Sequence, residues 1–92
     1  MNKKLKDDYI KFTLSLNTSE AREELNRLNA SSRELQRTND GLLNSMTELV
    51  ASGKKGSDEY KRLEAELKSN SKAISDNNAK VKILRSSMKS TE

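Results

Sequence analysis

From Leu25 onward the apolar positions repeat at alternating intervals of three and four. Leucines fall at 28, 35, 42 and 49, and the positions between them run Leu25, Ser32, Asn39 and Met46, with Ala21 one step earlier. That spacing keeps one stripe on one side of a helix and marks a coiled-coil seam. A second stripe follows: Tyr60, Leu63, Leu67, Asn70, Ile74, Asn77, Val81, Leu84 and Met88. Between them lies Gly53-Lys54-Lys55-Gly56, which breaks the helical pattern. Ahead of both, residues 9–16 (YIKFTLSL) alternate, with Ile10, Phe12, Leu14 and Leu16 on one side and polar or aromatic residues on the other. This period of two predicts a half-buried strand.

The helix boundaries carry their own signals. Asn17 with Glu20 three residues on has capping-box spacing, so a first helix is expected over 18–52. Ser57 followed by Asp58 and Glu59 restarts a helix expected over 57–88, leaving 53–56 as the turn. Asn39-Asp40-Gly41 could make a turn, but the heptad runs unbroken through Leu42, Met46 and Leu49, so the helix is expected to continue. The fold class is therefore mainly α, in a single domain over 1–92: one N-terminal β-strand, then a long antiparallel helical hairpin of coiled-coil type.

Folding the chain between Lys54 and Lys55 sets the facing layers. They become Leu49/Tyr60, Met46/Leu63, Leu42/Leu67, Asn39/Asn70, Leu35/Ile74, Ser32/Asn77, Leu28/Val81, Leu25/Leu84 and Ala21/Met88. The four polar positions face one another, and slipping the register by a heptad would set polar groups against leucine or methionine. Ser32, Asn39, Asn70 and Asn77 are thus candidate register pins, a role polar seam residues take at some cost in stability. A parallel dimer would also pair each asparagine with itself. It would not account for complementary polar positions on either side of two glycines.

A lone strand leaves its backbone groups unpaired, so Ile10, Phe12, Leu14 and Leu16 are expected to form a strand interface with a second copy, making the chain a dimer.

Composition narrows the chemistry. The chain has 92 residues, 32% hydrophobic and 35% charged, and it lacks His, Cys and Trp. Too little apolar mass is present for a thick core, which favours an elongated shape. The commonest general base, every thiol nucleophile and most metal ligands are missing, so no enzyme, cofactor, metal site or small-molecule substrate is expected. No disulfide can form, no signal peptide or membrane span is visible, and a soluble chain suited to a reducing compartment is expected. Eighteen basic and fourteen acidic residues are interspersed along the chain. No basic helix precedes the leucine repeat: the place where a basic-leucine-zipper protein would grip DNA reads SEAREEL, which disfavours nucleic acid as a partner. GKKGS lacks the spacing of a phosphate-binding loop and reads as a helix-helix turn. Asn17-Thr18-Ser19 and Asn29-Ala30-Ser31 fit the glycosylation acceptor but read as cap and surface residues. Asp7 and Asp8 have no partner acid and read as solvated.

The order IKFTLSLNTSEAREELNRLN, a long polar helix, then ASGKKGSDEYKRLEAELK resembles the N-terminal region of phage tail tape measure proteins, notably those of prophages, over roughly residues 9–88. The resemblance rests on pattern and phrasing. It implies a structural protein of a long-tailed phage, present in the bacterial cytoplasm during assembly and then in the virion tail. Its implied partners are the tail tube, an assembly chaperone or tail-tip proteins. Such proteins usually run to many hundreds of residues and often carry apolar segments, so the resemblance implies either an N-terminal fragment of one or a function that is only borrowed. The competing readings are a generic coiled-coil adaptor and, less favoured, a nucleic-acid-binding zipper.

Overall fold

The computed structural model describes the backbone of residues 3–91 and the side chains of residues 6–88. The described residues form three helices: α1 (Lys3–Leu14), α2 (Thr18–Ala51) and α3 (Asp58–Thr91). Helices α2 and α3, 34 residues each, lie against one another as a hairpin. The molecule is a rod with extents of 56 × 24 × 13 Å.

Local chemistry sets each boundary. Asn17 Oδ1 accepts from Glu20 N at 2.8 Å while Asn17 N donates to Glu20 Oε1 at 3.0 Å, a reciprocal capping box that satisfies donors the first turn of α2 would otherwise strand. At the other end Gly53 takes φ 74°, which lets its N–H reach Val50 O at 3.0 Å and Lys54 N reach Leu49 O at 2.7 Å. This is the Schellman closure, and the left-handed residue in it suits glycine. Ser57 Oγ then accepts from Tyr60 N at 3.2 Å to open α3. Gly41 is helical, and its helix runs through the Asn39-Asp40-Gly41 stretch without a break.

The N-terminal segment corrects the sequence reading. Residues 9–14, expected as the first part of a strand, form the second half of α1, and 15–16 turn toward α2. Eight residues are too few for period two to exclude period 3.6. Tyr9, Thr13 and Leu16 are also spaced four and three, and this is the stripe that packs: Thr13 is 3% exposed, and Tyr9 and Leu16 lie on the core cluster. The helix closes its own backbone hydrogen bonds, whereas an isolated strand would need a sheet edge, and the hairpin has none. The strand interface is therefore not formed. Ile10 is half-buried beside Lys82 and Ile83, while Phe12 and Leu14 are 45% and 61% exposed.

The fully buried core is small and lies at the open end of the hairpin, where α1 adds a third helix. Ala21, Leu28, Val81 and Leu84 form it, with Tyr9, Leu16, Leu25 and Met88 packed around them.

Candidate interaction surfaces

Three features of the rod can act on a partner: the seam, the α1 clasp and two oppositely charged faces. Among the described residues no helix is long and apolar enough to cross a membrane, and no group of acids is placed to hold a metal.

Along the seam, the sequence-derived positions divide by where α1 lies. At the open end Ala21, Leu28, Val81 and Leu84 are buried, and Leu25 and Met88 are half-buried. Toward the turn Met46 and the polar Asn39 are buried; Leu35, Leu42, Leu49, Tyr60, Leu63, Leu67 and Ile74 are half-buried. Two helices touching along one line leave the flanks of each seam residue open, and only a third layer closes them.

The two polar layers differ. Asn77 Nδ2 donates to Ser32 Oγ at 3.2 Å and to the neighbouring Ser31 Oγ at 3.4 Å, so the structure brings Ser32 and Asn77 together. Asn39, 9% exposed, has its Oδ1 buried with no hydrogen-bond partner, while Asn70 across the seam is half-buried. The first layer is satisfied. The second carries an open desolvation cost, of about 1–3 kcal/mol for such a group.

Helix α1 is held by polar contacts at the rim of its apolar packing. Tyr9 Oη donates to Glu24 Oε1 at 3.1 Å, and Arg27 clamps the same carboxylate, with Nη2 to Oε1 at 2.6 Å and Nε to Oε2 at 3.0 Å. The Arg27 hydrogen bond is the main reason the Glu24 carboxyl titrates below its usual range, with the Tyr9 bond acting in the same direction. Burial, reinforced by the Glu24 charge, pushes the Tyr9 phenol up to about 12. Lys80 Nζ lies 5.5 Å from the Tyr9 ring centroid, within cation–π range. Further along α1, the Thr13 and Ser87 hydroxyls share a hydrogen bond of 2.7 Å.

Assigning heptad letters, with Leu25, Ser32, Asn39 and Met46 at a in α2 and Tyr60, Leu67, Ile74 and Val81 at a in α3, sorts the charges. In an antiparallel pair the e and b rows of both helices share one face, and the g and c rows share the other. The contacts agree. Asn26, Asn29, Arg33 and Gln36 line one groove with Asn78, whereas α1 meets Glu24, Lys80 and Ser87 on the opposite side, with Ile10 also reaching round α3 to Lys82. The first face carries Arg22, Arg33, Lys61, Lys68, Lys82 and Arg85 against only Asp40 and Glu64. The second carries Glu20, Glu24, Glu34, Glu48, Glu59, Glu66 and Asp76 against Arg27, Arg62 and Lys80. Charges that look interspersed along the chain are thus segregated across the rod. Reading residue order alone misses this; reading charge by heptad letter would have found it.

No known protein family matches this chain, and no characterised protein or solved structure matches it either.

Proposed function

We propose that the chain is a non-enzymatic structural and assembly module that works through helix–helix contacts, and that it self-associates along the hairpin as a coiled-coil-like rod. The observation that carries this reading is the unfinished core. Leu35, Leu42, Leu49, Leu63, Leu67 and Ile74 stay half-buried over the turn-end length of the seam, while at the α1-covered end Ala21, Leu28, Val81 and Leu84 are buried. Surface area supports it. The chain exposes 6708 Å², whereas a compact monomer of 10.4 kDa would expose about 5,400 Å². The excess of about 1,300 Å² is larger than the roughly 800 Å² that each partner contributes to a standard interface, so one such contact fits within it.

The resemblance to phage tail tape measure proteins gives this module its setting: a segment assembled in the bacterial cytoplasm and carried into the virion tail, where tail tube, assembly chaperone or tail-tip proteins are the partners. A closed hairpin holds a partner and does not span a distance along the tail. The alternative is a generic coiled-coil adaptor with a cellular partner, which would share the self-association and lack the tail phenotype.

Sedimentation equilibrium of the full chain at micromolar concentration tests the first part. A mass of at least twice the 10.4 kDa chain is expected, and a monomer at every concentration would refute it. Precise deletion of the segment from an encoding prophage tests the second: misassembled or absent tails are expected, and normal tails would leave the adaptor reading.

A further inference from the structure

The two charged faces are not equivalent in shape. On the basic face Leu43 and Val50, each 47% exposed, stand one heptad apart on α2, and the heptad assignment puts Lys61 and Lys68 of α3 on the same face. At 1.5 Å per residue they form two knobs about 10.5 Å apart. On the acidic face the half-buried Leu35, Leu42 and Leu49 lie beside the small side chains of Ser31, Thr38 and Ser45. Glu34, Glu48, Glu59 and Glu66 border this shallow apolar groove, and small residues let a second helix approach closely.

The covered length matters as much. Helix α1 has 12 residues and α2 has 34, so α1 covers about 18 Å of a face about 51 Å long. Among the described residues, about 33 Å of the acidic face, toward the turn, has no helix over it. It is the same face on which Glu24, Lys80 and Ser87 already receive a helix.

We propose that a second copy of the chain docks its basic face, led by Leu43 and Val50, onto this uncovered turn-end length of the acidic face. The proposal rests on the self-association inferred above and specifies which surfaces meet. Charge decides the pairing mode. A twofold-symmetric contact through either face would set lysines against lysines or glutamates against glutamates, which costs free energy, whereas basic on acidic gains it. The contact is therefore heterologous. Each copy added leaves one basic and one acidic face free at the ends, so the assembly grows with concentration and does not stop at a closed pair. A polyanion such as DNA is the rival occupant of the basic face. It has no use for exposed Leu43 and Val50, and it would leave the acidic groove uncovered.

Charge exchange between two variants provides the test, read by sedimentation velocity at low and high salt. The wild-type chain is expected to associate, more weakly in 1 M salt, where charges are screened within about 3 Å. Lys61→Glu/Lys68→Glu cancels the net charge of the basic face and makes its turn-end stretch acidic, and Glu48→Lys/Glu66→Lys cancels the net charge of the acidic face. Each variant alone should lose at least about tenfold in association, because one of its two faces no longer carries a net charge opposite to the other. An equal mixture of the two should recover association, which also shows that both are folded. Lys61→Gln/Lys68→Gln, with no new charge, should weaken association less and reduce its salt dependence.

A wild-type chain that associates equally well in either reversed variant overturns the pairing and leaves self-association standing. So does a mixture no better than its components. A chain that is monomeric throughout overturns both, including one that binds a DNA duplex through Lys61 and Lys68 as a monomer.

Discussion

Replacing Asn39 with leucine should stabilise the hairpin. Asn39 is 9% exposed and its Oδ1 has no hydrogen-bond partner, so the native side chain bears the cost of a buried, unpaired acceptor, about 1–3 kcal/mol. Leucine is close in volume, removes that acceptor and adds apolar area between Leu35, Leu42 and Met46. Asn70 on the facing helix is half-buried, so water can still serve it and little new cost arises there. A net gain of about 1–2 kcal/mol follows, and for a domain of this size each kcal/mol raises Tm by about 4–8 °C. Thermal and urea melts followed by circular dichroism, at one fixed protein concentration because association contributes to stability, provide the measurement. The other polar layer supplies the control. Ser32→Ala removes the 3.2 Å acceptor of Asn77 and should destabilise by about 0.5–1.5 kcal/mol. If Asn39→Leu lowers Tm, or if both substitutions act alike, the distinction between a satisfied and an unsatisfied layer is wrong.

Other outcomes follow from single features. Gly41→Ala should stabilise by about 0.5–1 kcal/mol, since the position is helical and an added Cβ meets nothing within 4 Å. Gly53→Ala should destabilise by about 1 kcal/mol because φ 74° is left-handed; urea melts check both. The α1 clasp should be pH-dependent at both extremes. Glu24 titrates below its usual range when folded, so its contribution is present above the unfolded carboxyl pKa and is lost as pH falls through the folded value. Tyr9 is raised from 10.0 to about 12, so its contribution is full below 10.0 and is lost as pH rises toward about 12. Phenolate absorbance in a Tyr60→Phe background reads Tyr9, and acid unfolding followed by circular dichroism, compared with Glu24→Gln, reads Glu24. In an encoding phage, removing one heptad from each arm, 35–41 and 66–72, keeps the seam in phase and should leave tail length constant. A ruler would shorten by about 21 Å for those fourteen residues, a difference that electron micrographs of many tails can resolve.

The hairpin was legible because several levels of the sequence agree. The three-four spacing of leucines, the Asn17/Glu20 box, Gly53 at the turn and Ser57 at the restart each point to the same two helices. The N-terminal segment was not legible because two periods compete within eight residues. Ile10, Phe12, Leu14 and Leu16 satisfy a strand, while Tyr9, Thr13 and Leu16 satisfy a helix, and only contact with Glu24, Lys80 and Ser87 selects between them. The decisive residue, Thr13, is polar, so a search for apolar stripes passes over it. Its hydroxyl is buried against Ser87, 74 positions away in sequence, a separation that local periodicity cannot report. The polar layers show a similar limit. Facing positions could be paired by counting from the turn, yet whether each oxygen finds a donor depends on side-chain geometry, which differs between Ser32/Asn77 and Asn39/Asn70.

A closed hairpin distinguishes an assembly module from an extended ruler, and a single distance tests it most directly. Cysteines placed at Arg22 and Arg85, both exposed and in a chain with no other cysteine, accept spin labels. Dilution with unlabelled chain isolates the intramolecular distance, measured by pulsed electron–electron resonance. With helix axes 8–10 Å apart, the closed hairpin predicts labels within about 30 Å of each other. A continuous helix through the GKKG turn would place them roughly 95 Å apart at 1.5 Å per residue, and such a distance, or the absence of any short one, would contradict the account.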